Sequence, residues 1–360
     1  MKRAREFLFL VALLVSALAI LSGGRTAATG AVFVDNATVG GNTFTTASCF
    51  SRWWWDGVYR YRQRVTVTTG SAAVTSGYSV QLNLNHAQLV QQGKSLTSGD
   101  DLRLLYWNQG NCNWSELDRV LDDDSGWNNA STRIWFRTQA AISANSSDNN
   151  YYLYYGNNSA TNPPANRLNV FLFHDDFPGS SIDTSKWTVT RGSATVSGGL
   201  LTLNANSSIW ATSSYAFGGN TRWEARIQLS TNTVAYFNYW GASNQNGYDD
   251  DYITFWTDAS KHFAENSASG LGGATNVTFS ANTPTSFHIY IFNREGTSNV
   301  RYFQDTTQVA NITTGIPTAN LRVFVWNDNS TQTQRYDWVR VRHYVNPEPS
   351  TALGAEEPAP

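Results

Sequence analysis

Along most of the chain, apolar and polar positions alternate with a period of two and break at Gly, Asn, Ser and Asp clusters. Arg62, Arg64, Thr66 and Thr68 alternate with Gln63, Val65, Val67 and Thr69, as expected of a strand with one covered face. In the next segment Val80, Leu82 and Leu84 share a face. Asp101–Gln109, Trp114–Leu121, Arg133–Ala141 and Tyr151–Tyr155 read as further strands. After Gly156, Pro163 and Pro164 stiffen a polar connector, and an apolar run from Asn169 to Phe173 ends in His174, Asp175 and Asp176. Strand, proline-stiffened connector and second strand mark a junction between two β domains. Beyond it, Trp223, Ala225, Ile227 and Leu229 alternate with Arg222, Glu224, Arg226 and Gln228. In the last strand Tyr336, Trp338, Arg340, Arg342 and Tyr344 alternate with Asp337, Val339, Val341 and His343. The expected fold class is all-β, with two β-sandwich domains in tandem over 53–160 and 171–345, joined by a linker at 161–170. The Pro-, Glu- and Ala-rich tail, 346–360, is expected to be disordered.

Composition sharpens this picture. The chain has 360 residues, of which 14% are charged and 14% aromatic, where about a quarter charged is typical. Thr, Val, Tyr and Trp favour strands over helices. A net charge of -2 provides no general attraction to nucleic acid or anionic lipid. Lys2, Arg3 and Arg5 precede an apolar run from Phe7 to Leu21 and small residues around Ala27 and Ala28. That pattern predicts a signal peptide over 1–28, an N-terminal extension over 29–52, and a secreted or cell-surface protein that meets the membrane only through the signal segment. Cys49 and Cys112 are then expected to form one disulfide, which would stabilise the fold by about 4 kcal/mol through the closed loop.

Several segments carry resemblances. Gly30–Cys49 (GAVFVDNATVGGNTFTTASC) resembles the start of camelysin/TasA-type secreted proteins. WWWDGVYRYRQRVTV, GYSVQLNLNHAQLV, GDDLRLLYW, RIWFRTQAAI and NNYYLYYGNNSA resemble, in order, the domain-of-unknown-function 2341 family of exported proteins, which implies an architecture and no activity. Asp175-Asp176-Phe177, a spacer, Trp187 and the alternating strands resemble a concanavalin A-like or laminin-G-like jelly roll. That resemblance implies that the last strand pairs near the first strand of the second domain.

Candidate chemistry is sparse. A retaining glycosidase needs two carboxylates about 5–5.5 Å apart, and no Glu-x-Asp-x-x-Glu run supplies them. Glu224, between Arg222 and Arg226, reads as an ion-paired surface carboxylate. Asp249, Asp250 and Asp251 are the candidate ligands for Ca²⁺, which takes 6–8 oxygens; no other cofactor is implied. Asp122-Asp123-Asp124 reads as a hairpin turn. Tyr239, Trp240, Tyr248 and Trp256 flank the polar loop GASNQNGY and are the candidate ligand-binding residues, since ring faces take sugar C–H groups while Asn and Asp bond hydroxyls. Trp53, Trp54 and Trp55 cannot all point inward from one strand and are expected in the seam between the domains. These features favour a non-catalytic exported protein whose second domain binds a glycan or cell-surface polymer. The alternatives are a self-associating structural component of a surface layer and a polysaccharide-cleaving enzyme with a dispersed site.

Overall fold

The computed structural model describes residues 38–39, 42–43, 54–230, 237–244, 251–258, 261–280 and 285–360. The expected signal peptide and Cys49 therefore lie outside the described residues. Thr38–Val39 pairs with Asn42–Thr43 in the smaller of two compact units; the larger one, Trp54–Trp107 with Trp114–Pro360, holds two β-sandwiches.

In the first sandwich, Tyr61–Thr68 lies between Ser147–Tyr155 and Ser350–Pro358, and Arg103–Asn108 and Asn113–Leu117 complete a five-stranded sheet. Ser79–Leu84, Thr132–Arg137 and Val120–Leu121 form the opposing sheet. Val65, Val67, Val80, Leu82, Ile134, Tyr151 and Leu153 fill the space between them, as alternation requires. After Leu84 the chain turns into a short helix over His86–Gln91, capped by the Asn85 side chain, which accepts from the Gln88 N–H.

The tail is not disordered. Ser350–Pro358 is an edge strand, with Thr351 opposite Val67 and Leu353 opposite Val65. An edge strand needs to bury only one face, and here charge complements charge. Glu356 accepts from Lys94 Nζ at 2.6 Å and Tyr155 Oη at 2.7 Å, while Glu357 lies 2.7 Å from Arg62. The first sandwich is therefore discontinuous in sequence, and the second is inserted into it.

That second sandwich has two eight-stranded sheets, and its strands switch between them as in a jelly roll. Phe173–Asp175 pairs with the last strand, Gln334–His343, as the resemblance implied. Thr221–Leu229 sits between that strand and His288–Glu295. Trp223, Ala225, Ile227 and Leu229 point into the core. A register shift at Arg226/Ile227 puts Tyr336 inside with Val339 and Val341. This bulge is why strict alternation along the last strand assigns Tyr336 to the wrong face.

Trp54 and Trp55 are not in the seam; Trp53 lies outside the described residues. Both rings cover the outer face of the five-stranded sheet, where Tyr152 and Tyr154 alternate out of the core. The Trp54 ring meets Tyr154 edge-on at 5.2 Å, its Nε1 donates to the Tyr59 carbonyl, and the Arg62 guanidinium lies 4.8 Å above it.

Candidate functional site

The outer face of one jelly-roll sheet carries two of the aromatic side chains expected to bind ligand, Tyr239 and Trp256. Leu321–Asn327, Asn238–Ser243, Tyr252–Asp258, Lys261–Ser267 and Thr275–Phe279 are consecutive neighbours in it. Register aligns Trp326, Tyr239, Trp256, Phe263 and Thr278 in one cross-strand row. The four aromatic residues are half-buried, and with strands about 4.8 Å apart they span about 14 Å. Trp256 and Phe263 stack with centroids 4.0 Å apart and planes within 8°; Tyr239 lies 5.8 Å from Trp256 at 21°. Parallel rings so close on neighbouring strands must stand on edge, so the row is a ridged apolar strip and not a flat platform.

The adjoining row runs Phe324, Gly241, Thr254, Glu265 and Asn276. A Cβ on Gly241 would stand 2.2 Å from the Ile253 carbonyl oxygen, so the close approach of these strands requires glycine. Glu265, 5% exposed, accepts from Tyr252 Oη at 2.6 Å and Trp256 Nε1 at 2.9 Å. Burial and Glu265 both push the Tyr252 phenol up, so it remains a donor. With both oxygens occupied and no second acidic side chain in either row, Glu265 is placed to fix the Trp256 ring.

The expected site residues separate. Tyr239 and Trp256 stand together in the row. Trp240, one position along, is 0% exposed in the core beside Tyr290; it cannot touch a ligand, because neighbours on a strand face opposite sides. Tyr248, Asp249 and Asp250 lie outside the described residues. Asp251 is described, and its carbonyl accepts from the Asn244 N–H. Among the described residues no group of three or more His, Cys, Asp or Glu could hold a metal. Phe263 and Trp326 were missed by sequence reasoning; the signal available was their register with Tyr239 and Trp256, which only strand pairing supplies.

A second cluster lies in the seam. Asp122, Asp123 and Asp124 are not simply a solvated turn. Arg340 reaches Glu224 at 2.6 Å, Asp122 at 3.3 Å and Asp123 at 3.4 Å. Trp135 Nε1 donates to Asp122 at 2.5 Å, and Arg167 and His174 lie 2.8 and 3.1 Å from Asp123. Glu224 is ion-paired as expected but is 3% exposed, not a surface group, because the first sandwich covers it. Burial pushes its carboxyl up, yet Arg222, Arg340 and Arg342 outweigh this and hold it well below the ordinary carboxylate range. Asp122 and Asp123 are also lowered: burial opposes, but Arg340 with the Trp135 bond, and the His174 bond with Arg340, prevail. Burial and the neighbouring Asp122 raise Asp124.

The family described as Domain of unknown function (DUF2341) matches residues 123–190. The match is shifted from the expected 53–160: it holds Asp123, Arg167 and His174 of the seam and enters the second sandwich. No curated protein matches the chain. Among solved structures, the chain is similar to the endo-beta-1,3-glucanase from Pyrococcus furiosus, at 14% identity and a TM-score of 0.41, over 49% of this chain and 95% of that one. It is similar to the laminarinase from Rhodothermus marinus at 14% and 0.41, over 49% and 97%. A prokaryotic beta-1,3-1,4-glucanase (lichenase) derived from a mouse hindgut metagenome gives 15% and 0.39, over 48% and 99%. At these values the likeness bears on neither ligand nor chemistry.

Proposed function

We propose that this is an exported protein that recognises a carbohydrate polymer through the outer sheet face of its second sandwich, without cleaving it. The observation that carries this reading is the half-buried row Trp326–Tyr239–Trp256–Phe263, whose neighbouring carboxylate Glu265 has both oxygens tied. An apolar strip bordered by Asn276 and Thr278, both exposed, matches the alternating C–H and hydroxyl surface of a sugar chain. Cleavage would need a second carboxylate across the bond. Export rests on the basic and apolar N-terminal pattern and the low charge content.

The test is binding of the protein from about Ala31 onward to a glycan and cell-wall polysaccharide array. Trp256→Ala is expected to lower affinity about tenfold or more, the equivalent of about 1.4 kcal/mol, with the circular dichroism spectrum unchanged. Trp240→Ala is the contrast: it empties a core position and is expected to cost about 3–5 kcal/mol of stability. An array on which the wild type binds nothing but self-associates would replace this reading with an assembly role. Release of reducing ends from a bound polysaccharide would replace it with catalysis.

A further inference from the structure

The seam between the sandwiches is not closed throughout. It contains a cleft of about 590 Å³, within the size range of small-ligand sites. One wall is the outer face of Ser79–Leu84 and Thr132–Arg137; the other is the outer face of the sheet holding Thr221–Leu229 and Gln334–His343; the connector Glu348–Thr351 borders both. The aromatic row lies on the other sheet of that sandwich, so the cleft is a separate site.

Its charges decide what it could hold. Carboxylates Asp122, Asp124, Glu224, Asp305 and Glu348 line it, and so do guanidiniums Arg133, Arg222, Arg340 and Arg342. An anionic ligand would meet the carboxylates and a cation the guanidiniums, and most of these charges already satisfy one another. Arg342 binds Glu348, and Arg340 binds Glu224. Spare capacity remains at particular atoms. Arg222 uses Nε on Glu224 at 2.7 Å, while its Nη1 is 3.7 Å from Glu348, beyond a hydrogen bond. Arg133 uses Nη2, and its side chain is 32% exposed. The Asp124 carboxyl has Arg226 no nearer than 4.0 Å, so its oxygens keep room to accept. Opposite these, Ile289, Ile291 and Pro349 supply apolar surface.

We infer that the interdomain cleft is a second binding site, taking a neutral polyhydroxylated ligand such as one end of an uncharged oligosaccharide. A hydroxyl both accepts from Arg222 and Arg133 and donates to Asp124; an ammonium group cannot accept, and a phosphate brings negative charge against the lining carboxylates. The C–H face of a pyranose suits the isoleucine and proline side.

Isothermal titration with neutral glucohexaose (β-1,3- and β-1,4-linked) and β-1,4-mannohexaose tests this, with hexagalacturonate as the charged control. Wild type is expected to bind two equivalents of at least one neutral probe, and Trp256→Ala to retain one. Adding Thr306→Trp, an exposed turn position at the cleft mouth, is expected to abolish that remaining equivalent. Asp124→Asn, which breaks no short ion pair, should weaken it about tenfold. Residual binding that survives Thr306→Trp, or hexagalacturonate binding as tightly as the neutral probes, would overturn the assignment. A single wild-type site lost with Trp256→Ala and unaffected by Thr306→Trp would overturn the cleft while leaving the aromatic row standing. No binding to any probe would overturn both.

Discussion

Glu224 shows how a residue's surroundings decide what it does. In sequence it is one carboxylate between two arginines; in the fold it is buried under the first sandwich with Arg222, Arg340 and Arg342 around it. Removing one partner from such a cluster leaves buried charge uncompensated, which typically costs 3–5 kcal/mol. Glu224→Ala is therefore expected to lower the urea midpoint by an amount worth about 3–5 kcal/mol. Glu116→Ala, whose carboxylate is a quarter exposed and pairs with Arg103, should cost about 1 kcal/mol or less. Equal midpoints would show that the seam is wetter than the structure has it. The pairing of Glu224 was legible from its flanking arginines. Its burial was not, because the covering sheet comes from residues about a hundred positions earlier. Tyr239 and Trp240 make the same point. In a run of aromatic residues nothing local says which one faces inward, and only the placement of Ala242 and Ile253 in the core resolves it.

Among the elements, Ser350–Pro358 is the one that composition misreads. Its Pro, Glu and Ala content matches disorder, yet it hydrogen-bonds along Tyr61–Thr68 and places Leu353 against the first core. The strands with clean alternation, Tyr61–Thr68, Ser79–Leu84 and Thr221–Leu229, were readable because one covered face stamps a period of two on the sequence. A polar edge strand carries no such stamp. A chain ending at Asn346 should therefore lose the first sandwich and keep the second. Limited proteolysis is expected to cut between Trp54 and Asn169 while a fragment from about Val170 to Tyr344 persists. Resistance of the first sandwich in the shortened chain would mean that the edge strand is dispensable.

Over the whole molecule, the buried ionic seam ties stability to pH. His174 has Asp123 and Arg167 within 3.1 Å of Nε2, and burial lowers its pKa below the ordinary 6.5 despite Asp123. Between those two values the unfolded chain takes up a proton that the fold refuses, so stability declines as pH drops below about 6.5. Glu224, Asp122 and Asp123 have folded values below the ordinary 4.5 and 3.8. Their contribution is complete above those values and is lost as pH falls through the folded ones, so a steeper loss follows. Asp124 acts in the opposite sense: its folded value is raised, so its contribution is present below 3.8 and disappears as pH rises. One such group against three does not reverse the trend. The melting temperature, followed from about pH 8 to about pH 3, should therefore be level above about 7, decline gently below 6.5 and steeply below 4.5. His174→Gln should lessen the gentle decline, which the likewise lowered His86, His262 and His343 share, and leave the steep one. A melting temperature that rises on acidification from 6.5 to about 5 would mean that His174 is charged in the fold. The seam would then be an ion-paired latch tightened by acid, with Asp123 as the partner of an imidazolium.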